Sequence, residues 1–257
     1  MTARGAAPAP SRRLRALVAL LRLAVKPAFA RIPGPDEARR AFELAARRGL
    51  LRRPPFLLHL ADDGTPPIHW ISSGRCRTRG VILYLHGGAY IAGSPATHAG
   101  VAGRLSRLCG LRVALPDYRL APAHRAPAAF DDVRAAHAAL RALGYGPGEI
   151  VLAGDSAGGG LAFALLADLC ARGEAPAGVV AFSPWVDLTL SGASVHENAV
   201  ADPLLAVARA PEIVSYVRGG LPADDPRISP LFAEFTAPPP VLIEVGETEI
   251  LRDDGRR

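Results

Sequence analysis

Five mostly apolar runs, none alternating with polar residues, constrain the fold of this chain more than any other feature. They cover residues 81–85, 112–115, 150–153, 179–182 and 241–245. Stretches of helical length separate several of them, at about 96–109, 127–142 and 156–171. Continuous apolar runs suit parallel strands that helices cover on both faces. The alternation therefore predicts an α/β fold with a mainly parallel, doubly wound sheet and right-handed crossovers.

The segments outside this alternation add a hairpin and an insertion. Residues 56–60 and 67–71 flank Asp62-Asp63-Gly64, a turn signal that predicts an antiparallel hairpin. The stretch between the fourth and fifth apolar runs is too long for one crossover, so it predicts an inserted helical piece with its clearest helix over 211–218. The chain has 257 residues and no break in composition, which predicts a single domain over 1–257.

Basic charge is confined to the N-terminal part of the chain. Residues 1–50 hold eleven Arg or Lys and three Asp or Glu, a net charge of +8. The whole chain carries +6, so everything after residue 50 sums to −2. All but one of the thirty basic residues are Arg, and no aromatic residues interleave with them. The charge therefore does not indicate a nucleic-acid partner.

The N-terminal segment has two interpretations. Apolar residues recur at helical spacing from Leu14 to Val25, with Arg15 and Arg22 off the stripe, which predicts an amphipathic helix. A signal peptide is the alternative, but Arg22 interrupts its apolar run and Lys26 follows it, so the helix is favoured. The run is too short to span a bilayer, so no stable membrane insertion is expected, and weak contact with a membrane surface stays open.

The number and spacing of the three cysteines indicate the redox state of the cellular compartment. Cys76, Cys109 and Cys170 are odd in number and far apart, which fits neither a disulfide framework nor a metal cluster. They indicate reduced, mostly buried thiols and a cytoplasmic protein.

Gly154-Asp155-Ser156-Ala157-Gly158 stands between a predicted strand and a predicted helix. A nucleophile elbow needs a sharp strand-to-helix turn with strained backbone at the serine, and the flanking glycines remove side chains that would clash there. An ordinary Gly/Ser turn is the competing interpretation. The placement predicts that Ser156 is a catalytic nucleophile.

His86-Gly87-Gly88-Ala89 follows the first apolar run. Successive glycines let backbone N–H groups face an oxyanion, and the residue after the nucleophile supplies another. The amides of Gly87, Gly88 and Ala157 are therefore the predicted oxyanion hole. His86 is interpreted as holding this loop and not as a proton shuttle.

These motifs resemble the hormone-sensitive-lipase-like (GDXG) branch of the α/β-hydrolase fold, from about residue 50 to the end of the sequence. The resemblance implies a carboxylester hydrolase of the esterase or lipase type, with short to medium acyl chains, a small-molecule ester as its partner, and no metal or organic cofactor. It also implies a core over 51–186 and 226–257 under a helical cap from 1–50 and 187–225. Tyr90, Asp155 and Trp185 are the implied substrate-binding residues. Four further residues in motifs like those of the family could equally be pocket residues or structural partners in ion pairs and hydrogen bonds: Asp117, Arg119, Asp132 and Asp187.

The resemblance also indicates the acid of a Ser–acid–His triad. Glu249 occupies the family position after the last apolar run, with Glu247, Asp253 and Asp254 as near alternatives. All seven histidines precede Glu249, whereas this fold orders its triad serine, acid, histidine.

Two explanations are expected. The sequence ends before the last strand and helix of the fold because of a truncation or a frameshift, or it is a relative that has lost catalysis. Either origin predicts severely impaired turnover. A catalytically inactive small-molecule-binding relative is the alternative function. An exposed sheet edge at 241–245 is also expected, through which the chain could self-associate.

Overall fold

The computed structural model describes residues 11–46, 53–76 and 79–257. A sheet of seven strands organises this part of the chain in the order β1-β2-β4-β3-β5-β6-β7. The strands are β1 (Leu57–Ala61), β2 (Ile68–Ser73), β3 (Val81–Leu85), β4 (Arg112–Pro116), β5 (Ile150–Asp155), β6 (Gly178–Phe182) and β7 (Val241–Glu244). The five strands from β4 to β7 in this order pair in parallel, and β2 pairs antiparallel with β1 and β4. The predicted α/β sheet and its hairpin are both confirmed.

Three long helices connect the parallel strands. They are α4 (Pro95–Cys109), α5 (Ala128–Ala142) and α6 (Ala157–Ala171). The sheet is buried between helices on its two faces: Leu83, Leu152 and Leu165 belong to one cluster and Ile82, Tyr84 and Ala99 to the other. All five residues of β3 are buried, as the continuous apolar pattern predicts for a central parallel strand.

The N-terminal helices are α1 (Arg12–Leu20), a π-helical turn (Leu21–Val25), α2 (Lys26–Ala30) and α3 (Pro35–Ala45). The sequence pattern predicts this helix over 35–49, and its residues 47–49 lie outside the described residues. The insertion holds two short helices, α7 (Ser194–Glu197) and α8 (Ala210–Val217), and α9 (Arg252–Arg256) follows β7. No helix in the described ranges is both long and apolar enough to cross a bilayer.

The N-terminal helices contact the inserted piece. Lys26 donates to the carbonyls of Ala199 and Asp202, and Arg209 donates to the carbonyl of Ile32. Arg39 of α3 reaches the core instead, donating to the carbonyls of Ile91 and Ala121 at 2.8 Å each. These contacts join residues 11–45 to both the insertion and the loops of the core.

The cysteine prediction is wrong in part. Cys170 is buried in α6, but Cys76 and Cys109 are exposed. Cys76 lies in the loop after β2 and Cys109 at the solvent-facing end of α4, and neither position is recognisable from spacing alone.

Candidate active site

Ser156 lies at the junction of β5 and α6 in a backbone conformation that non-glycine residues rarely adopt. Its φ is 52° and its ψ is −119°. Three backbone hydrogen bonds hold this strained geometry: the Ser156 amide donates to Phe182 O at 2.9 Å, and its carbonyl accepts from Trp185 N and Gly160 N. The serine therefore sits at a sharp, rigid turn.

The glycines around Ser156 allow backbone segments to meet without side chains. A Cβ atom at Gly158 would lie 2.0 Å from the Leu85 carbonyl oxygen, and one at Gly154 would lie 2.5 Å from the carbonyl carbon of Gly158. The end of β3 is thus pressed directly onto the first turn of α6. This contact brings the two glycine motifs of the sequence together.

Asp155 joins those two motifs through its carboxylate. Its Oδ1 atom accepts hydrogen bonds from Tyr84 Oη at 2.9 Å and from the Gly87 amide at 3.0 Å, and it lies 3.4 Å from His98 Nε2. Burial alone would raise the pKa of Asp155, but the hydrogen bond and charge of His98, with the bonds from Tyr84 and Gly87, outweigh burial and lower the pKa. The carboxylate is thus held as an anion by groups of the protein.

This geometry bears on two predictions. The Gly87 amide is not free for an oxyanion, because it donates to Asp155. Asp155 Oδ1 contacts the loop and α4 while the side chain stays 31% exposed, so its predicted contact with a substrate stays a prediction. A Cβ at Gly87 would lie 2.1 Å from Asp155 Oδ2, which explains why this position is a glycine.

The next part of the loop has an unusual backbone and, within the described ranges, unpaired amides. Gly88, Ala89 and Tyr90 all have positive φ, at 127°, 55° and 62°. In the described part of the chain, the amides of Gly88, Ala89 and Ala157 donate no recorded hydrogen bond. The oxyanion-hole roles of Gly88 and Ala157 stay predictions, and the Ala89 amide is a further N–H group, unpaired among the described residues, that the sequence interpretation did not name.

His86 is buried at the start of this loop. Its Nδ1 lies 2.9 Å from Gly87 O, its carbonyl accepts from Tyr118 Oη at 2.6 Å, and its ring stacks on that tyrosine. Burial, followed by the nearby His98, lowers the pKa of His86 to about 3. The imidazole is neutral at physiological pH, which fits a loop-holding role.

Tyr90 and Trp185 form a buried wall beside the elbow. Their ring centroids are 6.1 Å apart, and the Trp185 indole N–H donates to Asp187 O at 3.1 Å. The Tyr90 hydroxyl is buried and has no hydrogen-bond partner in the described ranges, and burial raises its pKa. Both side chains are less than a tenth exposed, so the predicted contact with a substrate stays a prediction.

Glu249 follows β7 at the sheet edge where Ser156 lies. The ends of β5, β6 and β7 are in register, with Asp155 opposite Phe182 and Phe182 opposite Glu244. Glu249 Oε1 accepts from the Gly246 amide of its own turn at 2.9 Å, and its backbone carbonyl accepts from Asn198 Nδ2 at 2.8 Å.

The carboxylates of the three alternative acids bind other groups of the protein. Glu247 pairs with Arg256, and Asp253 accepts from Ser194 N and Arg252. Asp254 is buried and accepts from the amides of Val186 and Asp187. Burial raises the pKa of Asp254 to about 7. Of these acids, Glu249 is the one whose carboxylate contacts only its own turn among the described residues.

The histidines are paired with other groups, buried or exposed. His59 and His69 lie 2.8 Å apart in the hairpin, His98 contacts Asp155, and burial lowers the pKa of His137 to about 4. His124 and His196 are exposed. Within the part of the chain that the structure describes, no histidine hydrogen-bonds to the Ser156 hydroxyl, and no group of three or more His, Cys, Asp or Glu is arranged to hold a metal ion.

Comparisons with known proteins agree with this geometry. A family model described as alpha/beta hydrolase fold matches residues 82–257. An acetyl-hydrolase of Streptomyces hygroscopicus is 38% identical over 75% of this chain and 68% of its own length. An esterase of Acinetobacter venetianus is 38% identical over 69% of this chain and 59% of its own length, so the chain spans about three fifths to two thirds of these curated relatives.

A crystal structure of an esterase from the bacterial hormone-sensitive lipase family superposes with a TM-score of 0.87 and 37% identity. The match covers 97% of this chain and 83% of that one. The chain therefore belongs to the α/β-hydrolase fold family, in the hormone-sensitive-lipase-like group of esterases and lipases.

Proposed function

We propose that this chain carries the acyl-transfer site of a serine carboxylester hydrolase. In this site Ser156 Oγ attacks the ester carbonyl, and the amides of Gly88, Ala89 and Ala157 bind the oxyanion that forms. The observation that carries the proposal is the strained Ser156 backbone, at φ 52° and ψ −119°, beside a loop whose amides have no acceptor of their own.

Glu249 is the proposed acid of the triad, because its carboxylate contacts only its own turn while the neighbouring acids hold other segments. Residues 1–50 and 187–225 form the proposed cap over the core of 51–186 and 226–257. The contacts of Lys26 and Arg209 between the N-terminal helices and the insertion support this division. The proposed partner is a small-molecule ester with a short to medium acyl chain, entering beneath the cap.

Among the described residues, the proposed site lacks a base that could take the proton of the Ser156 hydroxyl. Serine is a poor nucleophile until a base takes its proton, and none of the seven histidines is placed on the Ser156 hydroxyl. In one serine protease, loss of the triad histidine costs on the order of a millionfold in turnover and leaves roughly a thousandfold over water. We therefore infer that these 257 residues alone hydrolyse esters slowly.

The test is hydrolysis of a short-chain aryl ester by the 257-residue chain. We expect a small rate above background that Ser156→Ala removes. Ser183→Ala is the matched control, because Ser183 also follows a parallel strand and also has positive φ, at 46°, but has no assigned role. Equal rates in the Ser156→Ala variant and the unmodified chain would contradict the proposal.

The pH profile separates the possible bases. Without a histidine base, the rate should rise with hydroxide concentration and show no group titrating near neutrality. A strong rate with a neutral pKa would mean that one of the seven histidines is the base, and exposed His196 would be the first to replace. Binding of ester with no Ser156-dependent turnover at any pH would favour the alternative, a small-molecule-binding relative.

A further inference from the structure

The N-terminal helix leaves an unusual number of apolar side chains in solvent. Helical backbone runs without a break from Arg12 to Ala30, through α1, the π-helical turn and α2, and no residue of α1 is buried. Its leucines are among the more exposed apolar side chains of the described chain: Leu14 at 48%, Leu17 at 44%, Leu20 at 53% and Leu23 at 80%. Such a patch marks an interaction surface more often than a free one.

The same helix is strongly cationic. Residues 11–35 contain six basic side chains and no Asp or Glu: Arg12, Arg13, Arg15, Arg22, Lys26 and Arg31. The three arginines of α1 are exposed, and the chain beyond residue 50 carries a net charge of −2. The partner of this surface must therefore offer both apolar contact and negative charge.

The helix is fixed to the body at one end only. Arg22 Nη2 donates to Ala201 O at 2.7 Å, and Lys26 Nζ donates to Ala199 O and Asp202 O at 2.7 and 2.8 Å. The basic groups nearest the body are thus used for docking, whereas Arg12, Arg13 and Arg15 have no recorded partner among the described residues. The first half of the helix projects its leucines and arginines together.

We propose that the helical segment 12–30 binds the surface of an anionic phospholipid membrane. Leu14 and Leu17, on the apolar stripe of α1, enter the boundary between headgroups and acyl chains, and the arginines contact lipid phosphates. A second copy of this chain fits the charge less well, because pairing the same helices would bring like charges together. The inference is independent of the proposed ester hydrolysis.

The docked helix is also connected to the loop after β7. Asp202, whose carbonyl accepts from Lys26, uses its carboxylate Oδ2 to accept from Ile250 N at 2.9 Å, next to Glu249. A membrane-bound helix is therefore joined through one residue to the loop of the proposed acid.

The test is co-sedimentation of the 257-residue chain with vesicles of pure phosphatidylcholine and with vesicles that also contain phosphatidylglycerol. We expect binding to the mixed vesicles that falls as salt is raised. Reversing Arg12, Arg13 and Arg15 together to Glu should weaken binding by at least about a hundredfold, at roughly fivefold for each charge removed. Leu14→Glu, on the apolar stripe, should weaken it by about tenfold.

Two matched variants control for charge and exposure. Leu108 in α4 is 83% exposed, so Leu108→Glu repeats the Leu14 change away from the helix, and Arg104→Glu with Arg107→Glu repeats two of the three charge reversals. These variants should bind vesicles nearly as the unmodified chain does. Equal binding to both vesicle types, no binding, or equal losses in the control variants would overturn the proposal. Self-association in the absence of lipid that Leu14→Glu abolishes would also overturn it, because a second copy would then cover the helix.

Discussion

Asp155 Oδ1 accepts a hydrogen bond from the Gly87 amide at 3.0 Å, so the residue before the serine holds the loop that follows the neighbouring strand. The same oxygen accepts from Tyr84, whose strand leads into that loop. One carboxylate thus sets the spacing between the Ser156 turn and the free amides of Gly88 and Ala89. Preorganised donors of this kind are effective because they need no rearrangement when charge develops.

Replacing Asp155 by Asn should destabilise the fold by about 2 kcal/mol, because hydrogen bonds to a charged group are worth more than neutral ones. The loss should be measured as the free energy of unfolding in urea. A double-mutant cycle with Tyr84→Phe should give a coupling energy above about 0.5 kcal/mol, since the two side chains share one hydrogen bond. Strict additivity of the two changes would show that the contact does not contribute.

Gly158→Ala should lower the free energy of unfolding by about 3 kcal/mol or more, because the new Cβ would lie 2.0 Å from the Leu85 carbonyl oxygen and both partners are backbone. Gly148→Ala is the matched control, since a Cβ there meets nothing within 4 Å. The control should change stability by less than about 0.5 kcal/mol. Thermal or urea unfolding measures both, and similar losses in the two variants would contradict the close approach.

Asp254 should make the stability of the fold fall as pH rises. Burial raises its pKa to about 7, so the folded state keeps a proton that the unfolded state has already lost above about pH 4. Its stabilising contribution is complete below that pH and is lost as pH rises to about 7, with a slope of at most about 1.4 kcal/mol per pH unit.

Urea unfolding at several pH values between 4 and 8 tests this prediction against the pKa of about 7. Asp254→Asn should flatten the slope, because the amide oxygen can still accept from Val186 N and Asp187 N without ionising. Asp253→Asn is the control: the hydrogen bond from Arg252 lowers the pKa of Asp253, so its effect belongs at lower pH. An unchanged slope in the Asp254→Asn variant would refute the assignment.

The β7 edge should promote self-association. β7 is the last strand of the sheet, and Val241 and Leu242, which point to opposite faces, are 43% and 53% exposed. Leu242→Lys should shift the chain toward monomer in sedimentation velocity over a range of concentrations. Leu143→Lys, at a 65% exposed position after α5, should not. A monomer at every concentration before any substitution would exclude the edge as an interface.

The elements of the core could be predicted because their signals are local. The continuous apolar runs correspond to β3–β7, and the helix-length stretches correspond to α4, α5 and α6 with ends that differ by one residue. The strand-to-helix position of Ser156 was predicted for the same reason. Periodicity and glycine placement report directly on backbone geometry.

The details that the sequence could not provide depend on contacts between distant segments. Which amides of residues 87–89 are free is decided by Asp155, and nothing in the spacing shows that His98 and Tyr84 converge on that carboxylate. The exposure of α1 is a second example. The stripe from Leu14 to Val25 predicts an amphipathic helix, but the sequence does not show that the helical segment docks through Lys26 of α2 and leaves every residue of α1 unburied.

The contact between Leu85 and Gly158 also bears on how such enzymes diversify. Because this contact joins one main chain to another, the distance between the serine turn and the loop after β3 does not depend on which side chains line the space above them. Sequence drift in the 187–225 segment or at Tyr90 can then reshape the space above the serine while leaving the reacting geometry unchanged. Selection for new substrates would act on those residues, and Gly158 would stay fixed in every descendant that keeps the chemistry.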